Sequence, residues 1–140
     1  MTEIPVGFEP LFRTSPFSEM LGPFFYRRTE RGLVIGLSVA DKHANARGGV
    51  HGGLLLTLAD IALGYTAAYS EDPPLVLTTV NISADFAGYV RVGDWVEARI
   101  DVQKIGRRLV FTNGYLVVGV ERIARVSAVF ARSGAGGPLG

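Results

Sequence analysis

The chain has 140 residues, of which 14 are Lys or Arg and 13 are Asp or Glu, so its formal net charge is only +1. This balance provides no strong field for nucleic acid or an anionic membrane surface, and it favours a small-molecule partner. Because there is no cysteine, a disulfide framework, a thiol nucleophile and a thiolate metal site are all excluded. The length predicts a single domain with its own core.

The N-terminal segment lacks the basic start and apolar run of a signal peptide. Ser15 followed by Pro16 is typical of a helix start, and Gly22-Pro23 ends the helix, so a short helix is predicted over residues 15 to 21. We place it in an N-terminal extension, residues 1–22. The longest apolar stretch, Leu54 to Ala68, is too short to cross a bilayer. The chain is therefore expected to be cytoplasmic, without a membrane partner.

Residues 23–132 are predicted to form the main domain, beginning with a hairpin of Phe24 to Arg28 and Gly32 to Ala40. A polar, glycine-rich loop then leads into a helix from Gly52 to about Ser70, which Pro73 and Pro74 prevent from continuing. The helix is apolar almost all round, which favours a position inside a curved sheet.

Four more strands are predicted near residues 75–88, 94–104, 107–118 and 121–132, joined as successive hairpins. The pattern predicts an α+β fold in which a curved antiparallel sheet, with its last strands in meander order, wraps around one long central helix. The tail, residues 133–140, has nothing to pack against and is predicted to be flexible.

Asp60 is the unusual residue of the central helix. At about 100° per residue its face carries mostly small or apolar side chains. These are Gly53, Leu56, Thr57, Leu63, Gly64 and Ala67. An unpaired buried carboxylate is costly, so Asp60 needs a hydrogen-bond partner, water or a function. The helix pattern alone favours a structural role and a catalytic role for Asp60 equally.

The loop before the helix favours catalysis. Gly48, Gly49, Gly52 and Gly53 let the backbone approach a ligand closely, and the free N–H groups at a helix start can stabilise developing negative charge. A carboxylate two turns further along suits acyl transfer to water. His51 is more often a capping residue than a base at such a position. With His43 the only other histidine and no GxSxG elbow, we predict no metal, no cofactor and no serine triad.

The pattern Asn45-x5-His51-Gly52-Gly53-Leu54, followed by Leu58-Ala59-Asp60, resembles the signature of hotdog-fold acyl-CoA thioesterases of the phenylacetate-pathway type, within the 4-hydroxybenzoyl-CoA thioesterase superfamily. The likeness covers roughly residues 20 to 130. It implies a hotdog fold and hydrolysis of an aryl or short- to medium-chain acyl-CoA to the free acid and CoA.

The resemblance also implies roles for individual residues. Asp60 would act as general base or nucleophile, and the Gly52 amide would polarise the thioester carbonyl with help from Asn45 and His51. Thr79 would orient the attacking water; we choose it over Thr78 because strand alternation groups it with Asn81 and Ser83.

Substrate and CoA contacts are assigned to Gly53, Leu56, Leu63, Arg107 and Arg108. The two arginines lie at a predicted turn and could meet phosphates, although solvated turn charges are the alternative. The resemblance further implies a homodimer or homotetramer, with third strands paired edge to edge and each active site between two subunits. Alternative functions on the same fold are a non-catalytic acyl-CoA-binding module and, ranked last, a dehydratase.

Overall fold

The computed structural model describes residues 3–133, so the predicted flexible tail falls outside the described residues apart from Ser133. Within these described residues the fold contains two α-helices and seven strands. The helices are α1 (Pro16–Leu21) and α2 (Gly52–Ala68). The strands are β1 (Glu9–Pro10), β2 (Phe25–Thr29), β3 (Gly32–Ser38), β4 (Leu77–Phe86), β5 (Trp95–Ile105), β6 (Leu109–Val118) and β7 (Glu121–Arg132).

Helix α1 begins and ends where the sequence predicts. The Ser18 backbone N–H donates to the Ser15 hydroxyl at 3.2 Å, and Pro16 occupies the first turn, where its missing N–H costs nothing. At the other end the Gly22 N–H donates to the Ser18 carbonyl at 2.7 Å. The short two-residue strand β1 precedes this helix and was not predicted.

The strands form one antiparallel sheet in the order β1-β2-β3-β5-β6-β7-β4. The predicted strands are present, but the predicted hairpin between β4 and β5 is wrong, and with it the meander order. Strand β4 pairs with β7, and β5 pairs with β3. The turn before β5 instead bonds to the end of β3, where the Gly93 N–H donates to the Val39 carbonyl at 2.7 Å. The chain between β4 and β5 therefore crosses from the edge of the sheet to its middle, where β5 lies between β3 and β6.

The sheet curves around α2, as expected for the hotdog fold. Leu58, Ala59, Ala62 and Leu63 of the helix are completely buried against it. Apolar side chains of β3, β5, β6 and β7 close the same core. Burying this much apolar surface is the main driving force for the fold, and it fixes which side of α2 remains open.

Strand β4 lies at one edge of the sheet and, within residues 3–133, pairs only with β7. Most of its side chains are exposed, including Val80 and Phe86, which are 59% and 50% exposed. It contains neither proline nor lysine to block further pairing. Helix length and hydropathy give no candidate for a membrane-crossing helix among the described residues.

Candidate active site

The first turn of α2 presents a backbone donor. His51 is the N-cap, and its Nδ1 accepts the Gly53 N–H at 2.9 Å. Gly52 is the first helical residue, and no acceptor among the described residues takes its N–H. The Phe86 ring lies beside it, since a Cβ on Gly52 would be 3.7 Å from that ring. The Gly52 amide is thus free to bind a ligand oxygen, and His51 acts here as a cap.

Asn45 holds the loop before the helix. Its Oδ1 accepts the backbone N–H groups of Arg47 at 2.8 Å and Gly49 at 3.2 Å, while its Nδ2 donates to the Val50 carbonyl at 3.3 Å. All three bonds stay within the loop, so Asn45 positions the residues leading to Gly52 and does not point at Asp60. A Cβ at Gly49 would be 2.6 Å from the Tyr89 hydroxyl, so a larger residue there would require the Tyr89 ring to move.

Asp60 is half-buried, so the expectation of a fully buried carboxylate is wrong for the single chain. The sheet covers the opposite side of α2, and the side carrying Asp60 opens beside the edge strand β4. Leu63 was predicted to contact substrate, but its exposure is 0% and it belongs to the core, so it does not line an open site in this chain. Leu56 is half-buried, and Gly53 is exposed.

Thr79 meets Asp60 directly. Its hydroxyl donates to Asp60 Oδ1 at 2.8 Å. Thr79 does not share a face with Asn81 and Ser83, however, so the alternation predicted for this strand is wrong. A β-bulge between Thr79 and Asn81 inserts Val80 as an extra residue and shifts the alternation. Thr79 thereby turns towards the helix, opposite the buried Phe130 of β7.

A cleft of about 520 Å³ opens along the exposed side of α2. Asp60 and Thr79 line it together with aromatic, apolar and small residues and one cation. These are Arg13, Ile61, Gly64, Tyr65, Ala68, Tyr69, Pro74, Leu75, Val76, Leu77 and Phe130. Gly64 keeps the cleft open, since a Cβ there would lie 3.3 Å from the Phe130 ring. The volume suits a small aryl or acyl group.

The N-terminal segment closes one side of this cleft, which the sequence did not predict. The ring of Phe12 packs edge-on against Tyr69 at 4.7 Å and against Tyr26 at 5.0 Å, and stacks on Tyr65 at 5.9 Å between centroids. Arg13 is carried into the cleft as a result. The neighbouring residues Phe12 and Arg13 form no pattern that predicts contact with the central helix, so the sequence contained no signal for this contact.

His43 joins α1 to the glycine-rich loop. Its Nδ1 accepts the Ala40 N–H at 2.9 Å, and its Nε2 donates to the Leu21 carbonyl at 2.6 Å. The His51 N–H in turn donates to the His43 carbonyl at 2.8 Å. Burial lowers the pKa of His43. The hydrogen bond to Leu21 opposes this decrease, and the charge of Lys42 adds to it. This neutral, buried histidine is a structural link that sequence reasoning left without a role.

Arg107 and Arg108 lie exposed at the turn between β5 and β6, and neither lines the cleft that holds Asp60. Two hydrogen bonds from Arg132 fix this turn. Its backbone N–H donates to the Arg108 carbonyl at 2.8 Å, and its Nη1 donates to the Gly106 carbonyl at 2.9 Å. Since Arg132 pairs with Leu77, the turn lies at the end of the sheet where β4 begins. Contact with CoA remains a prediction for both arginines.

The sequence profile of the thioesterase superfamily matches residues 47–129, which include the glycine-rich helix start, Asp60 and Thr79. The chain belongs to this superfamily. A candidate esterase of Pseudomonas aeruginosa is 47% identical over 131 residues, covering 93% of this chain and 98% of the relative. A second candidate esterase, from Caenorhabditis elegans, is 32% identical over 89 residues, 61% of this chain and 50% of that relative.

Solved structures place this thioesterase-superfamily protein among hotdog folds. The PaaI protein from the phenylacetic acid degradation operon of Escherichia coli has a TM-score of 0.76 at 22% identity, with 86% of each chain covered. A variant of the phenylacetic acid degradation protein PaaI from Thermus thermophilus scores 0.73 at 25% identity, covering 84% of this chain and 99% of that one. A thioesterase-named protein of Streptococcus pneumoniae, solved with coenzyme A, scores 0.72 at 18% identity, covering 79% and 86%. The predicted hotdog fold is confirmed.

Proposed function

We propose that this protein hydrolyses an acyl-CoA thioester with an aryl or a short- to medium-chain acyl group, and that Asp60 is the general base. The observation that carries this proposal is the Thr79–Asp60 hydrogen bond beside an acyl-sized cleft. Asp60 takes a proton from water, and the water oxygen attacks the thioester carbonyl carbon. The C–S bond then breaks, and the proton passes to the leaving CoA sulfur, giving free acid and CoA.

Membership of the superfamily supports thioester hydrolysis as the general activity. Coenzyme A as the thiol carrier is supported by the Streptococcus pneumoniae relative, whose structure contains it. An aryl acyl group is supported by the two relatives named for phenylacetic acid degradation. The aromatic lining of the cleft by Tyr65, Tyr69 and Phe130 is compatible with such a group.

The spacing along α2 argues for a site shared between two copies of the chain. Gly52 and Asp60 are eight residues apart on one helix, so they are separated by about 12 Å along its axis at the usual rise. An oxyanion donor and a base must each lie within about 3 Å of the atoms they serve. The two groups of one chain therefore cannot act on the same thioester, and we assign Gly52 of one copy to Asp60 of the other.

The open edge of β4 offers the contact that such a pair requires. Two β4 strands pairing antiparallel across a two-fold axis would continue the sheet and set the two α2 helices antiparallel. The start of one helix then approaches the middle of the other. We accordingly propose a homodimer as the active unit, in which Asn45 and His51 fix the Gly52 amide, and Arg107 and Arg108 meet the CoA phosphates.

The decisive variant is Asp60→Asn, assayed by thiol release over a panel of aryl and acyl CoA esters. Removing the base should lower kcat by about 100-fold or more. Asp101→Asn is the matched control, because Asp101 is an exposed carboxylate of β5 in a groove that shares no residue with the Asp60 cleft. Undiminished turnover by Asp60→Asn would refute the mechanism. Tight binding by the wild type without hydrolysis of any ester would instead support a non-catalytic acyl-CoA-binding protein.

A further inference from the structure

The cleft beside Asp60 has a cation at the end far from the catalytic carboxylate. Asp60, Gly64, Ala68 and Tyr69 follow one another along its wall on the exposed side of α2. Tyr69 lies about 13 Å from Asp60 along the helix axis. Arg13 lines the same cleft, and because its neighbour Phe12 contacts Tyr65 and Tyr69, it lies at the Tyr69 end.

Within residues 3–133, no ion pair neutralises the positive charge of Arg13. The ion pairs of the described residues join Arg99 to Glu97 and Arg125 to Asp85, and no carboxylate oxygen in residues 3–133 lies within 4.0 Å of Arg13. Its neighbour Phe12 is packed among Tyr26, Tyr65 and Tyr69, so the backbone that carries the guanidinium is anchored. Arg13 itself is exposed, so an anionic group from outside the chain can reach its guanidinium at the mouth of the cleft.

The surroundings of Arg13 add a donor and an apolar path. Burial raises the pKa of Tyr65, against the opposing effect of the Arg13 charge, so its hydroxyl stays protonated and can donate a hydrogen bond. Between Asp60 and Arg13 the wall is formed by Ile61, Leu75 and other apolar groups. Methylene or aryl carbons would be covered there, with a polar group required only at each end of the acyl moiety.

We propose that Arg13 determines acyl specificity by binding a carboxylate at the distal end of the acyl group, so that the preferred substrates are CoA monothioesters of dicarboxylic acids. This inference rests on the proposed function of the same cleft. A guanidinium can bind a carboxylate through two parallel hydrogen bonds, which a methyl end cannot accept. Arg13 thus favours one acyl class over its plain fatty counterpart.

The test compares esters that match in carbon number and differ in the end group: adipoyl-CoA with hexanoyl-CoA, and suberoyl-CoA with octanoyl-CoA. kcat/KM is measured for the wild type, Arg13→Gln and Arg13→Lys. Arg31→Gln is the control, because Arg31 is an exposed arginine in a groove that shares no residue with the Asp60 cleft. Binding of the same esters to Asp60→Asn, with and without Arg13→Gln, is measured by calorimetry, so the readout does not depend on turnover.

We expect the wild type to prefer the dicarboxylic ester of a pair. Arg13→Gln should lower kcat/KM for that ester about tenfold or more, the loss of a charged hydrogen bond, and leave the fatty ester within about twofold. Arg13→Lys should retain part of the preference. Equal losses for both end groups, or a wild type that favours the fatty ester in turnover and binding, would overturn the proposal. In either case, hydrolysis that depends on Asp60 leaves the proposed function intact. Absent hydrolysis together with preferential binding of the dicarboxylic ester would refute the proposed function and leave the role of Arg13 intact.

Discussion

The hydroxyl of Thr79 donates a 2.8 Å hydrogen bond to Oδ1 of Asp60, joining the edge strand β4 to the central helix. This bond orients the carboxylate and leaves its other oxygen available to water. Thr79→Val has nearly the same shape without the donor, and we expect it to lower kcat by about 10- to 100-fold, with a smaller change in KM. Steady-state thiol release measures this. Thr79→Ser, which keeps the hydroxyl, should recover most of the rate; equal losses for both variants would assign Thr79 to packing.

The free amide of Gly52 can be removed without removing the helix. Proline is favoured at the first helical position, and His51 before it already has the extended backbone that proline requires, with φ −74° and ψ 130°. Gly52→Pro should therefore preserve the melting temperature while lowering kcat by about 100-fold, as loss of one oxyanion donor does. Gly52→Ala keeps the N–H and gains only ordinary contact with Phe86, so it should stay near wild-type activity. Wild-type kcat in Gly52→Pro would exclude the amide from catalysis.

His43 makes stability sensitive to mild acid. Burial holds its folded-state pKa below the ordinary histidine value of about 6.5, so the unfolded chain binds the proton first as the pH falls. The free energy of unfolding should decrease as the pH drops below about 6.5 and level off below the lower pKa of the folded chain, apart from carboxylate effects at lower pH. Urea unfolding at closely spaced pH values measures this. His43→Gln should be less stable at neutral pH by about 2 kcal/mol but show a flatter profile in this window; an unchanged slope would place the acid sensitivity elsewhere.

The local pattern of the sequence predicted the elements but not how they pair. Ser15-Pro16, the Gly52 helix start and the alternating strands are short-range signals, and each appears where it was expected. The position of β4 beside β7 depends on burying the core around α2, and the chain between β4 and β5 shows no local feature that distinguishes a crossover from a hairpin. Adjacent strands pair more often than not, and that tendency gave the wrong order.

The candidate site shows the same division. Asp60 and Gly52 stand out in the sequence because a carboxylate on an apolar helix and glycines at a helix start have a chemical meaning of their own. The bulge at Val80 does not stand out in the sequence. One inserted residue changes which threonine faces the helix, but it alters neither the composition nor the polarity of the strand. Arg13 reaches the cleft only through the aromatic contacts of Phe12, which join residues far apart in the chain.

The most direct test of the central claim, Asp60 of one copy acting with Gly52 of another, is the activity of mixed dimers. Asp60→Asn and Gly52→Pro subunits are coexpressed with different tags, and thiol release is measured for the doubly purified mixed dimer. Each variant alone should be nearly inactive, but the mixed dimer carries one site with both groups intact and should recover about half of the wild-type rate, as two-fold symmetry requires. A mixed dimer as inactive as its parents would contradict the shared site.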